Sequence, residues 1–116
     1  MALLINIAKD FAPVPLGRYK TDGDKSGQVF REKLLFPKIR TALAKNDTLK
    51  VDFTGMYGVH SSFLEEAFGG LVRNHGLNPE DVLKTIVFLP EKSHFDLYIN
   101  LTKKYIREAK PEVGDV

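Results

Sequence analysis

A chain of 116 residues, 43% of them hydrophobic, holds material for one domain with a modest core and gives no reason to look for a second. Seventeen basic against fifteen acidic residues leave a net charge of +2, too small a surplus for the electrostatic footprint of a nucleic-acid binder. Cysteine is absent, which removes disulfides, thiol nucleophiles and thiolate metal sites, and no stretch approaches the ~20 apolar residues of a membrane span or has the build of a signal sequence. These features predict a cytoplasmic protein without membrane association, metal or cofactor.

Leu3 to Ala8 is a short apolar run and reads as the first strand. Between Asp10 and Gly27, Pro13, Pro15, Gly17 and Gly23 are interleaved with Arg18, Lys20, Asp22, Asp24 and Lys25, the composition of a long functional loop, with a short edge strand at Arg18-Tyr19-Lys20. Ser26 is placed to cap a helix whose inner face is Val29, Phe30, Leu34, Ile39 and Leu43, and Pro37 predicts a kink or break near Phe36. Asn46-Asp47 ends that helix, and Leu49 to Thr54 is the second main strand, with Asp52 needing solvent or a partner.

Gly55 and Gly58 mark a turn that leads into a helix carrying Phe63, Leu64, Ala67, Phe68, Leu71 and Val72 on one apolar face. Gly76 is placed to close it in the left-handed conformation, and His75, in the last turn, is expected as a cation facing the helix dipole. Asn78-Pro79 opens a turn or short helix. The apolar run Thr85 to Leu89 predicts a strand covered on both faces, ended by Pro90. Ser93, with Asp96 three residues on, caps a last helix with Phe95, Tyr98, Ile99, Leu101, Thr102, Tyr105 and Ile106 inward; the ordered core is expected to reach residue 110, and residues 111–116 to fray. The element order calls for an α/β fold with one mixed, mostly parallel sheet of about four strands flanked by helices.

No strong catalytic motif accompanies this pattern. Ser62-Phe63-Leu64-Glu65 has the spacing of a capping box, which leaves Ser61 either to an ordinary turn role or to an anion or phosphate at the helix start. Gly69 and Gly70 are costly inside a helix and fall off the apolar stripe, Gly69 alongside Glu66 and Arg73, so something packs close there: the Gly17 to Gly27 loop or a second protein. The Asp22 to Gly27 segment lacks the closing glutamate of a calcium loop and the Gly-Lys-Ser/Thr ending of a phosphate loop. His60, His75 and His94 have no metal-ligand spacing, and adjacency of His60 to Ser61 is poor support for a hydrolase.

The strand Val51-Asp52-Phe53-Thr54 followed by His60-Ser61-Ser62-Phe63-Leu64 resembles the signature of STAS domains, the sulfate transporter and anti-sigma factor antagonist superfamily. Gly17-Arg18, Ser26-Gly27, Phe30-Arg31 and Ser61-Ser62-Phe63-Leu64-Glu65-Glu66-Ala67-Phe68-Gly69-Gly70-Leu71 resemble a narrower group, the STAS-like domains of unknown function, over nearly the whole chain. The resemblance implies a STAS-like fold and a serine, here Ser61, that anti-sigma factor antagonists present to a partner kinase. His60 stands where those proteins have aspartate and Phe63 where they have glycine. The combined expectation is a non-enzymatic regulatory module for a kinase-like or sensor partner, with homo-oligomerisation left open. Its anion or phosphorylation site is His60, Ser61 and Ser62; its partner surface is Arg18, Lys20, Lys25, Glu66, Gly69, Gly70 and Arg73. The alternative is a small nucleotide- or phosphate-binding domain or enzyme using the basic loop.

Overall fold

The computed structural model describes residues 3–111, so most of the expected frayed tail lies outside the described residues. Three strands form the sheet, β1 (Leu3–Asn6), β2 (Leu49–Asp52) and β3 (Ile86–Leu89), in the order β1-β2-β3. Both pairings are parallel, so among the described residues the sheet is wholly parallel and three-stranded, not mixed with about four strands. The missing strand is the one expected at Arg18-Tyr19-Lys20, where Asp22 accepts from the backbone N–H groups of Arg18 and Tyr19 and winds Lys20–Asp22 into a single 3₁₀ turn. The first strand is also shorter than its apolar run: Asn6 caps the helical turn α1 (Ile7–Asp10) by accepting from the Lys9 N–H.

Strand order follows chain order, so two crossovers of the same hand deliver their helices to the same side of the sheet. The molecule has two layers and a shortest extent of 23 Å. Leu49, Ile86, Ile5, Val51 and Phe88 point into the helix layer, whereas Leu4, Lys50 and Val87, which share a register row, point out. The expectation that β3 is covered on both faces is thereby corrected: Val87 is 36% exposed.

The first long helix runs through α2 (Gly27–Phe30), a π turn (Arg31–Leu35) and α3 (Phe36–Lys45). Ser26 caps it as expected, accepting from the Val29 N–H at 3.3 Å, and Asn46 closes it at φ 54°. No break occurs at Pro37. The π turn absorbs one extra residue ahead of the proline, which then sits in the opening of α3, where its missing N–H costs least. The inserted residue shifts the helical phase, so Leu35 is buried in place of the predicted Leu34, and Arg31 turns inward.

The central helix comprises α4 (Ser61–Leu64), a second π turn (Glu65–Gly69) and α5 (Gly70–Arg73). Its six predicted core residues are all fully buried, and Gly76, at φ 68°, closes it with the Leu77 N–H reaching back to the Leu71 carbonyl. Asn78 caps α6 (Pro79–Thr85), and α7 (Asp96–Glu108) completes the helix layer with Ile99, Thr102 and Ile106 buried. Ser93 does not cap α7 as expected, since Phe95 holds the capping position; in the turn just ahead of the helix the Ser93 hydroxyl accepts from the Phe95 N–H and its own N–H donates to Asp96. Asp52 finds its partner locally, accepting from the Thr54 N–H at 2.9 Å. Among the described residues no helix is long and apolar enough to cross a membrane.

Candidate functional site

The loops that follow β1 and β2 leave the sheet at the same edge, because the strands are parallel. They meet there: the Tyr57 N–H donates to the Pro13 carbonyl, and Val14 packs against Gly58. Met56 turns inward and anchors the second loop, while Tyr57 is 87% exposed. On the first loop Val14, Leu16 and Tyr19 are exposed as well, so four of the seven large hydrophobic side chains open to solvent among the described residues lie on these two loops.

The central helix opens beside them. His60 occupies the capping position with an extended backbone and supplies no side-chain bond to the first turn. The capping box expected from Ser62 and Glu65 does not form: the helix begins at Ser61 with His60 in the capping position, so Ser62 lies inside the first turn, and the Glu65 carboxylate turns to two arginines. Arg18 donates to Glu65 Oε1, and Arg73 donates to Glu65 Oε2 at 2.7 Å and to Oε1 at 3.3 Å. Burial pushes the Glu65 carboxyl up, but hydrogen bonds from Arg73 and Arg18 outweigh it and hold the group below the usual carboxylate range. The same contact with Glu65 raises Arg73.

Glu66 lies one step deeper, 4% exposed, and receives Arg31 Nη1 at 2.8 Å and Arg73 Nη2 at 3.3 Å. Arg31 is itself 2% exposed, and its Nε–H donates to His75 Nε2 at 3.2 Å. The cation expected at His75 is therefore corrected: burial, then the charge of Arg31, lower its pKa, and the neutral ring accepts a hydrogen bond while stacking on Phe36 at 3.8 Å.

The glycines explain how this network fits. A Cβ on Gly70 would fall 2.8 Å from Arg31 Cζ and 3.0 Å from its Cδ, so the guanidinium lies across bare backbone. Gly69 faces Glu65 and Arg73, and both glycines are buried, as the expectation of close packing requires. Gly27 packs against the central helix, where an added Cβ would sit 2.6 Å from the Phe63 carbonyl oxygen. The face is filled from within the chain, but by Arg31 of the first long helix lying on Gly70 and not by the expected Gly17 to Gly27 loop.

Of the residues singled out in sequence, Arg18, Glu66, Gly69, Gly70 and Arg73 are brought together, with Ser61 exposed one helical turn before Glu65. Lys20 and Lys25 are not part of the group. Lys20 pairs with Glu32 at 3.1 Å, and Lys25 sits over the Phe11 ring beside a cleft of about 260 Å³ whose rim also carries Asp10, Asp24 and Lys33. The three loop cations therefore do not converge on one phosphate-sized point. Sequence reasoning missed Arg31, Glu65 and His75 as members of the network and Tyr57 as its exposed neighbour; adjacent carboxylates one turn ahead of paired glycines were the available signal. Among the described residues no group of His, Asp and Glu side chains is placed to hold a metal ion.

A family model described as a STAS-like domain of unknown function (DUF4325) matches residues 26–91, which takes in Arg31, Ser61, Glu65, Glu66 and Arg73 but leaves Arg18 outside. That span is narrower than the nearly complete resemblance expected from the motifs. Neither the curated proteins nor the solved structures yield a match.

Proposed function

The chain belongs to the family of STAS-like domains of unknown function, and from that premise we propose that it is a non-enzymatic regulatory module that docks another protein at the carboxyl edge of its sheet. One observation carries the reading: Tyr57, Leu16, Tyr19 and Val14 are exposed together on the two loops that flank the Ser61 helix start. Exposed tyrosines around arginines are the composition of an interface hot spot, and Arg18 and Arg73 are respectively 34% and 28% exposed at its border. The partner fits as a kinase-like or sensor protein, because Ser61 is exposed at a helix mouth with no side-chain cap.

Phosphorylation of Ser61 switches the surface in this reading. A phosphate adds ~1.5 to 2 negative charges and strong acceptors. It would stand one turn from Glu65, repel that carboxylate and compete with it for Arg18, so the 16–25 loop is released or re-docked.

The test is affinity capture of tagged protein from its native cells, beside the Tyr57→Ala variant, with mass spectrometry of co-purified proteins and of phosphosites. A partner retained by the wild type and lost by the variant, with phosphate on Ser61, is the expected result. Unmodified protein recovered alone, or a partner set indifferent to Tyr57, refutes it.

A further inference from the structure

Parallel sheets are ordinarily covered on both faces, yet here the side away from the helices is open. Two register rows lie on it, Leu4-Lys50-Val87 and Asn6-Asp52-Leu89, with Leu4 53% and Val87 36% exposed. We propose that this face is a homodimer interface, covered by the same face of a second copy of the chain. The proposal is independent of the docking edge described above.

The charge pattern selects this occupant. Lys50 and Asp52 sit two residues apart on β2, the central strand, and point to the same side. Among the described residues neither forms an ion pair within the chain, and the Lys50 side chain makes no hydrogen bond there. A two-fold axis running between two such sheets, perpendicular to β2 and midway between these residues, sets each Lys50 opposite the partner's Asp52 and each Asp52 opposite the partner's Lys50. The same operation lays Val87 against the partner's Leu89 and Leu4 against the partner's Asn6. An axis parallel to the strands would oppose Lys50 to itself, so the charges also choose the orientation. A face of three four-residue strands is small for an obligate interface, and the dimer is accordingly weak and concentration-dependent.

Sedimentation equilibrium on the purified chain, up to roughly 1 mM so that even a weak complex forms, reads the association. Wild type is expected to dimerise. Lys50→Glu turns both ion pairs into like-charge contacts and should weaken the dimer by at least about a hundredfold while circular dichroism and thermal unfolding stay those of the wild type. Val87→Glu, on a different strand, should weaken it too. Asp52→Lys alone should also be monomeric, yet an equimolar mixture of Lys50→Glu and Asp52→Lys chains should form a heterodimer, because each charge then meets its opposite. A wild type that stays monomeric at every concentration, or a dimer that Lys50→Glu leaves intact, overturns the proposal.

Discussion

Replacing Gly70 by alanine tests how the two long helices are locked together. The new methyl would lie within 3.0 Å of Arg31 Cδ and closer to the guanidinium carbon, and the side chain has little freedom to retreat because Nη1 is held by the Glu66 carboxylate and Nε by His75. Moving Arg31 leaves two charges buried, each under 5% exposed, without each other. Breaking such a pair costs ~3–5 kcal/mol, against ~1 kcal/mol that alanine gains over glycine in a helix, so a net loss of ~2–4 kcal/mol is expected. For a domain of this size that lowers Tm by roughly 10–20 °C, measurable by differential scanning calorimetry. Gly69→Ala is the control. Its methyl meets Glu65 Oε2 at 2.9 Å, the end of a side chain 24% exposed whose partners Arg18 and Arg73 are themselves partly exposed and can shift with it, and the net effect should stay within ~1 kcal/mol of zero. In an Arg31→Met background, Gly70→Ala should lose most of its cost, because a thioether chain can yield where a guanidinium cannot. A Gly70→Ala protein as stable as wild type, or a cost that is unchanged by Arg31→Met, would refute this account of the glycine pair.

Other outcomes follow from the same geometry. Gly27→Ala places its methyl 2.6 Å from the Phe63 carbonyl oxygen, which is backbone and cannot rotate away, so chemical denaturation should show a loss of ~2–4 kcal/mol even though alanine is the better helix former. His75 has its pKa lowered by folding, so the stability it contributes is complete above the ordinary value of 6.5 and is lost as pH falls below it; urea midpoints should show this slope in the wild type and lack it in His75→Phe. Glu65 is likewise depressed, so its share is present above the unfolded value of 4.5 and lost on further acidification, and Glu65→Gln should flatten the acid limb while costing ~1 kcal/mol at pH 7. Tyr57→Ala should leave Tm unchanged, since the ring is 87% exposed, and weaken partner binding at least about tenfold.

The helix layer was legible because its signals are local and repetitive: the six apolar positions from Phe63 to Val72 are all buried, and Ser26, Asn46 and Gly76 end their helices where their chemistry predicts. The misreadings have separate causes. The π turn ahead of Pro37 inserts a residue, and a strict helical wheel carried past it puts Leu34 in the core instead of Leu35. The capping box fell to Ser62 and Glu65 because the helix start was placed at Ser62, one residue too late: it begins at Ser61, with His60 in the capping position. Arg31 illustrates the second limit, since a charged residue enters a core only when its partner arrives from another element, here Glu66 thirty-five residues later. The short parallel sheet shows the third: a run such as Thr85 to Leu89 is equally apolar whether its second face is covered or open.

The docking edge is tested most directly by a photo-crosslinking amino acid placed at position 57, with the same probe at exposed Arg40 on α3 as control, activated in the native cells. Crosslinks from position 57 to a distinct protein, absent from position 40, are the predicted result. Crosslinks at position 40 alone, or none from position 57 while the folded chain is abundant, would contradict the placement of the partner at this edge.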